Sequence, residues 1–136
     1  MTRAEREQFL AGVHVGILAI AEPDRGPLAL PVWYAFEDGD VLVNIDDNTR
    51  KAELLRAAGR ATLTVQDETP PYKYVCVEGP AAIEPEAGNG VELAVRYLGS
   101  ELGEWYAQEN PPTAASITVR LHPEHWRTYD FAKLFA

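Results

Sequence analysis

A hydroxyl and two cations stand side by side at Thr49-Arg50-Lys51, at the end of the stretch Asn44-Ile45-Asp46-Asp47-Asn48. A helix beginning there carries about half a unit of positive charge on its first turn, where the N–H groups have no intrahelical partner. Added cations are the wrong sign for that position, unless an anion docks among them. Backbone N–H groups, Thr49, Arg50 and Lys51 would then converge on a phosphate. A plainer explanation fits the same residues: Asp46 and Asp47 pair with the cations on a solvated surface.

A second set lies at Tyr72-Lys73-Tyr74-Val75, directly after Pro70-Pro71. Alternate residues of a strand face the same way, so Tyr72 and Tyr74 form an aromatic pair with Lys73 opposite. Such a pair can wall a flat ring and donate phenol hydrogen bonds. Strand tyrosines more often simply pack or form cross-strand pairs. The run Pro31-Val32-Trp33-Tyr34 admits the same two explanations. His122 and His125 flank Pro123 and His14 stands in an apolar run, so no metal site is expected. Ser100 and Ser116 have no base or elbow beside them, and neither a Gly-x-Gly-x-x-Gly run nor a phosphate loop occurs. Cys76, between two valines, reads as a core residue, and Glu78 as a hairpin surface position.

The elements that must carry these residues are mostly short strands. Thr2, with Glu5 three residues on, predicts a capped helix over 2–10 that Gly12 ends. Residues 13–21 read as a buried strand and 28–36 as a second, with Pro31 marking an edge or bulge. Asp38-Gly39 predicts a hairpin into a strand over 41–45. A helix over 49–58 follows, with Asp46-Asp47-Asn48 as cap candidates and Gly59 closing it. Residues 60–66 alternate as a strand that puts Gln66 at its end; 72–83 form a long strand with Gly79-Pro80 as a bulge. Residues 86–109 are expected to be helical, split at Gly99 and Gly103. A last strand over 115–121 leads to a tail with Trp126, Tyr129, Phe131 and Phe135. About six strands joined mainly by hairpins, with short peripheral helices, predict a mainly β (α+β) single domain over 1–136, an antiparallel barrel.

Composition narrows the function classes. The 136 residues carry 21 acidic and 12 basic side chains, for a net charge of −9. A nucleic-acid binder needs a basic face, so that class is set aside. One cysteine excludes a disulfide framework and a cysteine-rich zinc site. The apolar run 13–21 holds His14 and Gly16 and falls well short of the ~20 residues of a membrane span. The expectation is a cytoplasmic protein without membrane partners.

The order of pieces resembles the pyridoxamine 5′-phosphate oxidase-like split β-barrel proteins, in particular their flavin/deazaflavin (F420) oxidoreductase group. The resemblance rests on Gly16-Ile17-Leu18-Ala19, Pro31-Val32-Trp33-Tyr34, Thr49-Arg50-Lys51, Tyr72-Lys73-Tyr74-Val75-Cys76-Val77-Glu78-Gly79 and Arg96-Tyr97-Leu98-Gly99, which together span most of the chain. It implies a homodimer with two clefts at the subunit interface, each holding FMN or coenzyme F420. It also implies that the cofactor phosphate meets Thr49, Arg50 and Lys51, and that the ring edge runs along Pro31, Val32, Trp33 and Tyr34. Tyr72, Tyr74 and Gln66 would approach the cofactor, with Tyr74 as proton donor. Glu53 and Leu54 depart from the group, many of whose members have a basic residue and an asparagine there. The chain also lacks the basic C-terminal signature of a true pyridoxamine phosphate oxidase, so that activity is set aside. The expected function is an F420- or FMN-dependent reductase passing hydride to a small unsaturated substrate. The alternatives are a non-catalytic flavin, deazaflavin or haem binding protein, and a structural dimer whose cleft has decayed.

Overall fold

The structure, a computed structural model, describes residues 1–85 and 90–135. Its elements run α1 (Arg3–Ala11), β1 (Gly16–Ile20), β2 (Leu28–Val32), β3 (Ala35–Glu37), β4 (Asp40–Asp46), α2 (Arg50–Ala58), β5 (Arg60–Asp67), β6 (Lys73–Glu84), α3 (Gly90–Leu98), α4 (Ser100–Glu109), β7 (Ser116–Leu121), β8 (His125–Asp130) and a 3-10 turn over Phe131–Phe135. Every strand pair is antiparallel, in the order β2-β1-β5-β6-β7-β4-β3 with β8 also against β6. The sheet curls into a half-barrel flanked by four short helices.

Local chemistry explains most of these boundaries. Thr2 and Glu5 form a reciprocal capping box at α1. Asp38 and Gly39 both adopt positive φ (52° and 83°), the geometry of a tight hairpin turn between β3 and β4. Gly59 ends α2 in the left-handed region at φ 68°. Pro31 sits on β2, at one end of the strand order, where its missing N–H costs no ladder bond on the open side.

The core lies inside the curl. Ala61, Leu63 and Val65 of β5 face inward with Val75 and Val77 of β6, in the register Leu63↔Val77 and Val65↔Val75. Leu18, Ile20, Val43, Leu54 and Leu55 join them. A smaller cluster of Ala35, Leu42 and Leu93 seats α3 on the other face of β3 and β4. Strand β4 is therefore covered on both faces, and Val41, Leu42 and Val43 are all buried.

Strand β6 belongs to both halves of the curl. Its first part pairs with β5 and β8, and residues 81–84 pair with β7. The change occurs at Gly79, where an added Cβ would lie 1.8 Å from the His122 carbonyl oxygen, so only glycine fits.

Several expectations need correction. There are eight strands among the described residues rather than about six. The segment 28–36 divides into β2 and β3, because the Tyr34 N–H donates to the Tyr97 hydroxyl (3.0 Å) rather than to a strand. Residues 125–130 form β8 along β6 instead of a tail. Thr49, not the preceding Asp-Asp-Asn, caps α2, its hydroxyl oxygen accepting from the Ala52 N–H. The long helix breaks at Gly99 only, while Gly103 lies within α4; the expected helix start at 86–89 is outside the described residues. Cys76 turns away from the core and is half-buried beside the Thr64 hydroxyl (3.5 Å).

Candidate functional site

A cleft of about 720 Å³ opens between the ends of several elements. The end of β2 contributes Pro31, Val32 and Trp33, the end of β4 contributes Asn44 and Asp46, and the start of α2 contributes Thr49 and Lys51. Facing them are the start of α3, the last turn of α4 with the loop after it, and Ser116 at the start of β7. Its size falls in the ~300–1,000 Å³ range of small-molecule and cofactor sites.

The polar end lies at α2. The Thr49 hydroxyl donates to the Asp46 carbonyl (2.6 Å), so its proton is already committed. Donors left for an anion are the first N–H groups of the helix and Lys51. Among the described residues Lys51 has no ion-pair or hydrogen-bond partner. The other cations of α2 are occupied: Arg50 pairs with Glu22 (3.1 Å) and Glu53 (2.7 Å), and Arg56 pairs with Asp47. Asn44 accepts from the Thr118 hydroxyl through Oδ1 (3.2 Å), which leaves its amide N–H groups as further donors.

The apolar wall is aromatic. The Trp33 ring stacks on Tyr97 (5.1 Å between centroids, 4° between planes) and meets Tyr106 at 5.5 Å. Tyr97 is fixed in turn: its hydroxyl donates to the His14 carbonyl (2.6 Å) and accepts from the Tyr34 N–H. Arg96 donates to the carbonyls of Ala11 and Gly12, each at 2.7 Å. These bonds clamp α3 and the 31–34 segment to the turn after α1. Burial pushes the Tyr97 phenol up, so it stays a neutral donor at physiological pH.

The structure thus brings Pro31, Val32, Trp33, Thr49 and Lys51 to one cleft. Tyr34 is not among its walls: fully buried, it donates to the Leu10 carbonyl (2.6 Å), and burial raises its pKa. Arg50 points to its two carboxylates. Gln66, Tyr72 and Tyr74 lie on the outer face of the sheet, where Gln66 pairs in register with Tyr74. Tyr74 stacks on Tyr129 (6.5 Å), the cross-strand arrangement weighed above, while Tyr72 meets Phe131 edge-on at 6.4 Å. That face also exposes Val15 and Ile17. A shallow depression of about 370 Å³ joins it to the cleft, sharing Pro31, Val32, Trp33 and Tyr106 and adding Val15.

Asn44 and Ser116 are cleft residues that sequence reasoning passed over. The available signal was Asn44 itself, a lone amide inside the apolar run 41–45. Glu109 and Asn110 had no signal, since their place depends on how α4 folds back. His122 bonds Asp40 (2.6 Å), and no cluster of three metal-binding side chains occurs among the described residues.

Comparison with known proteins identifies the family and the fold. The family described as Pyridoxamine 5′-phosphate oxidase matches residues 2–130. A conserved hypothetical protein from Mycobacterium tuberculosis superposes with a TM-score of 0.79 at 27% identity, over 100% of this chain and 89% of that one. A protein described as an F420 reductase gives 0.70 at 22% identity, over 89% of this chain and 94% of its own. A FAD-binding protein from Mesorhizobium loti gives 0.69 at 23% identity, over 94% of both chains. No curated protein matches in sequence. No helix among the described residues is long and apolar enough to cross a membrane.

Proposed function

This chain belongs to the pyridoxamine 5′-phosphate oxidase family, and we propose that its cleft binds a flavin or deazaflavin cofactor for the reduction of a small unsaturated substrate. The observation that carries the reading is Lys51, without a partner among the described residues, beside the open N–H groups of α2 and lining a cleft of cofactor size. The residues present fit such a group. Lys51 and the first turn of α2 would hold its phosphate, and Pro31 to Trp33 with Tyr106 would flank its ring. When bound and reduced, the cofactor supplies a hydride to one carbon of the substrate's double bond while a proton goes to the other.

The chain's own part is positioning and exclusion of water. Trp33, held rigid on Tyr97, fixes the width of the apolar wall. Asn44, aimed by Thr118, offers amide N–H groups. The reduction also needs a proton donor. Tyr74 remains our candidate for that role through a second copy of the chain, since its sheet face adjoins the cleft at Pro31 and Trp33. We propose a homodimer through this face for the same reason: Val15, Ile17, Tyr74, Tyr129 and Phe131 are exposed on it or at its margin, apolar side chains that a second copy would cover.

Equilibrium titration of the purified chain with FMN and with F420, followed by fluorescence quenching, tests the reading. Binding of at least one at micromolar concentration is expected, and failure of both removes it. Binding without turnover on quinones, enones and nitro compounds would instead assign a cofactor carrier.

A further inference from the structure

We infer that the cleft selects a cofactor ending in a single phosphate and disfavours one that continues into a polyanionic tail: FMN over F420 with its chain of carboxylates. The inference rests on the cofactor reading above and deepens it. It comes from the charges this chain places around the anion end.

Among the described residues, the charged groups lining the cleft are one cation, Lys51, and two carboxylates, Asp46 and Glu109. One ammonium and a helix terminus suit one phosphate. Among the described residues nothing comparable waits beyond it. Arg50, the neighbour that could have received a second anion, is held by Glu22 and Glu53 at once. Hydrogen bonds to these two carboxylates, Glu53 first, push its pKa further up, as expected for a cation already compensated. Arg56, one turn along, is held by Asp47. Glu53, exposed on the first turn of α2, offsets the charge of Arg50 there. A tail leaving a phosphate at Lys51 would meet the Asp46 carboxylate and the neutralised pairs Arg50–Glu53 and Arg56–Asp47 rather than a basic track. The net charge of −9 adds repulsion at longer range.

The test is a set of titrations of the full chain with riboflavin, FMN, and F420 carrying short and long tails, at low and high salt. FMN is expected to bind about tenfold or more tighter than riboflavin, the worth of one charge-assisted contact. Affinity for F420 is expected to fall severalfold as the tail lengthens. That difference should close near 1 M salt, where charges are screened within about 3 Å. Glu53→Lys, on the first turn of α2, should improve binding of the long-tailed form severalfold more than it improves binding of FMN. Affinity that is flat or rises with tail length at low salt overturns this inference and leaves the cofactor reading standing. Binding of none of the four ligands overturns both.

Discussion

At the scale of single residues, Lys51 and Arg50 are neighbours with opposite fates. Among the described residues Lys51 has no partner at the mouth of a helix dipole, whereas Arg50 is neutralised by two carboxylates. Lys51→Ala is expected to weaken FMN binding about ten- to a hundredfold, since a charge-assisted contact contributes ~1.5–3 kcal/mol. Thermal stability should be unchanged, because the ammonium holds nothing in the fold. Arg50→Ala should leave affinity within about threefold and barely move the melting temperature, because exposed ion pairs contribute little. Isothermal titration beside differential scanning fluorimetry separates the two. The proposed anion site could be suggested from the sequence because a cation on the first turn of a helix has the wrong sign, a rule that needs only local information. The division of labour between Lys51 and Arg50 was not. It depends on Glu22, 28 residues away and brought alongside by the β1–β2 turn.

At the scale of elements, the cleft depends on how tightly α3 and α4 pack. A Cβ on Gly103 would lie 2.5 Å from the Val95 Cα, against backbone that cannot step aside. Gly103→Ala should therefore cost ~1–3 kcal/mol as overpacking, despite alanine's better helix propensity. It should also weaken cofactor binding, since the end of α4 forms one wall. Melting temperature and ligand affinity falling together would show this. The other end of the chain is tied by charge: the Lys133 ammonium, bonded to Glu5, holds that carboxyl down at about 2. Because the folded pKa lies below the ordinary value, the contact is present above about pH 4.5 and is lost as the pH falls toward 2. An NMR titration of Glu5 should show it, with Lys133→Ala returning the carboxyl toward its usual range. Elements with local signatures could be read directly: the α1 capping box, the Asp38-Gly39 turn, the alternation of β5. Strand β8 had none. Its pattern His-Trp-Arg-Thr-Tyr-Asp carries little aliphatic content, and it exists because β6 offers it a row of backbone partners. The split of residues 28–36 was equally hidden, since Tyr97 causes it from 63 residues away.

At the scale of the whole molecule, the exposed aromatic face and the cleft meet along Pro31 and Trp33. Sedimentation equilibrium is expected to find a dimer, with an interface in the ~1,200–2,000 Å² range of stable complexes. Ile17→Asp and Tyr129→Asp should yield monomers with an unchanged far-ultraviolet circular dichroism spectrum, because both side chains point outward. Monomeric wild type at micromolar concentration would remove the shared-cleft reading and with it the role given to Tyr74. The change of partners at Gly79 has a mechanical corollary. One continuous chain segment is stitched on both flanks, first to β5 and β8, then to β7, so no seam of broken hydrogen bonds separates one side of the curl from the other. Loosening either side unravels the thread that anchors its neighbour, and heat should therefore melt the sheet in a single step.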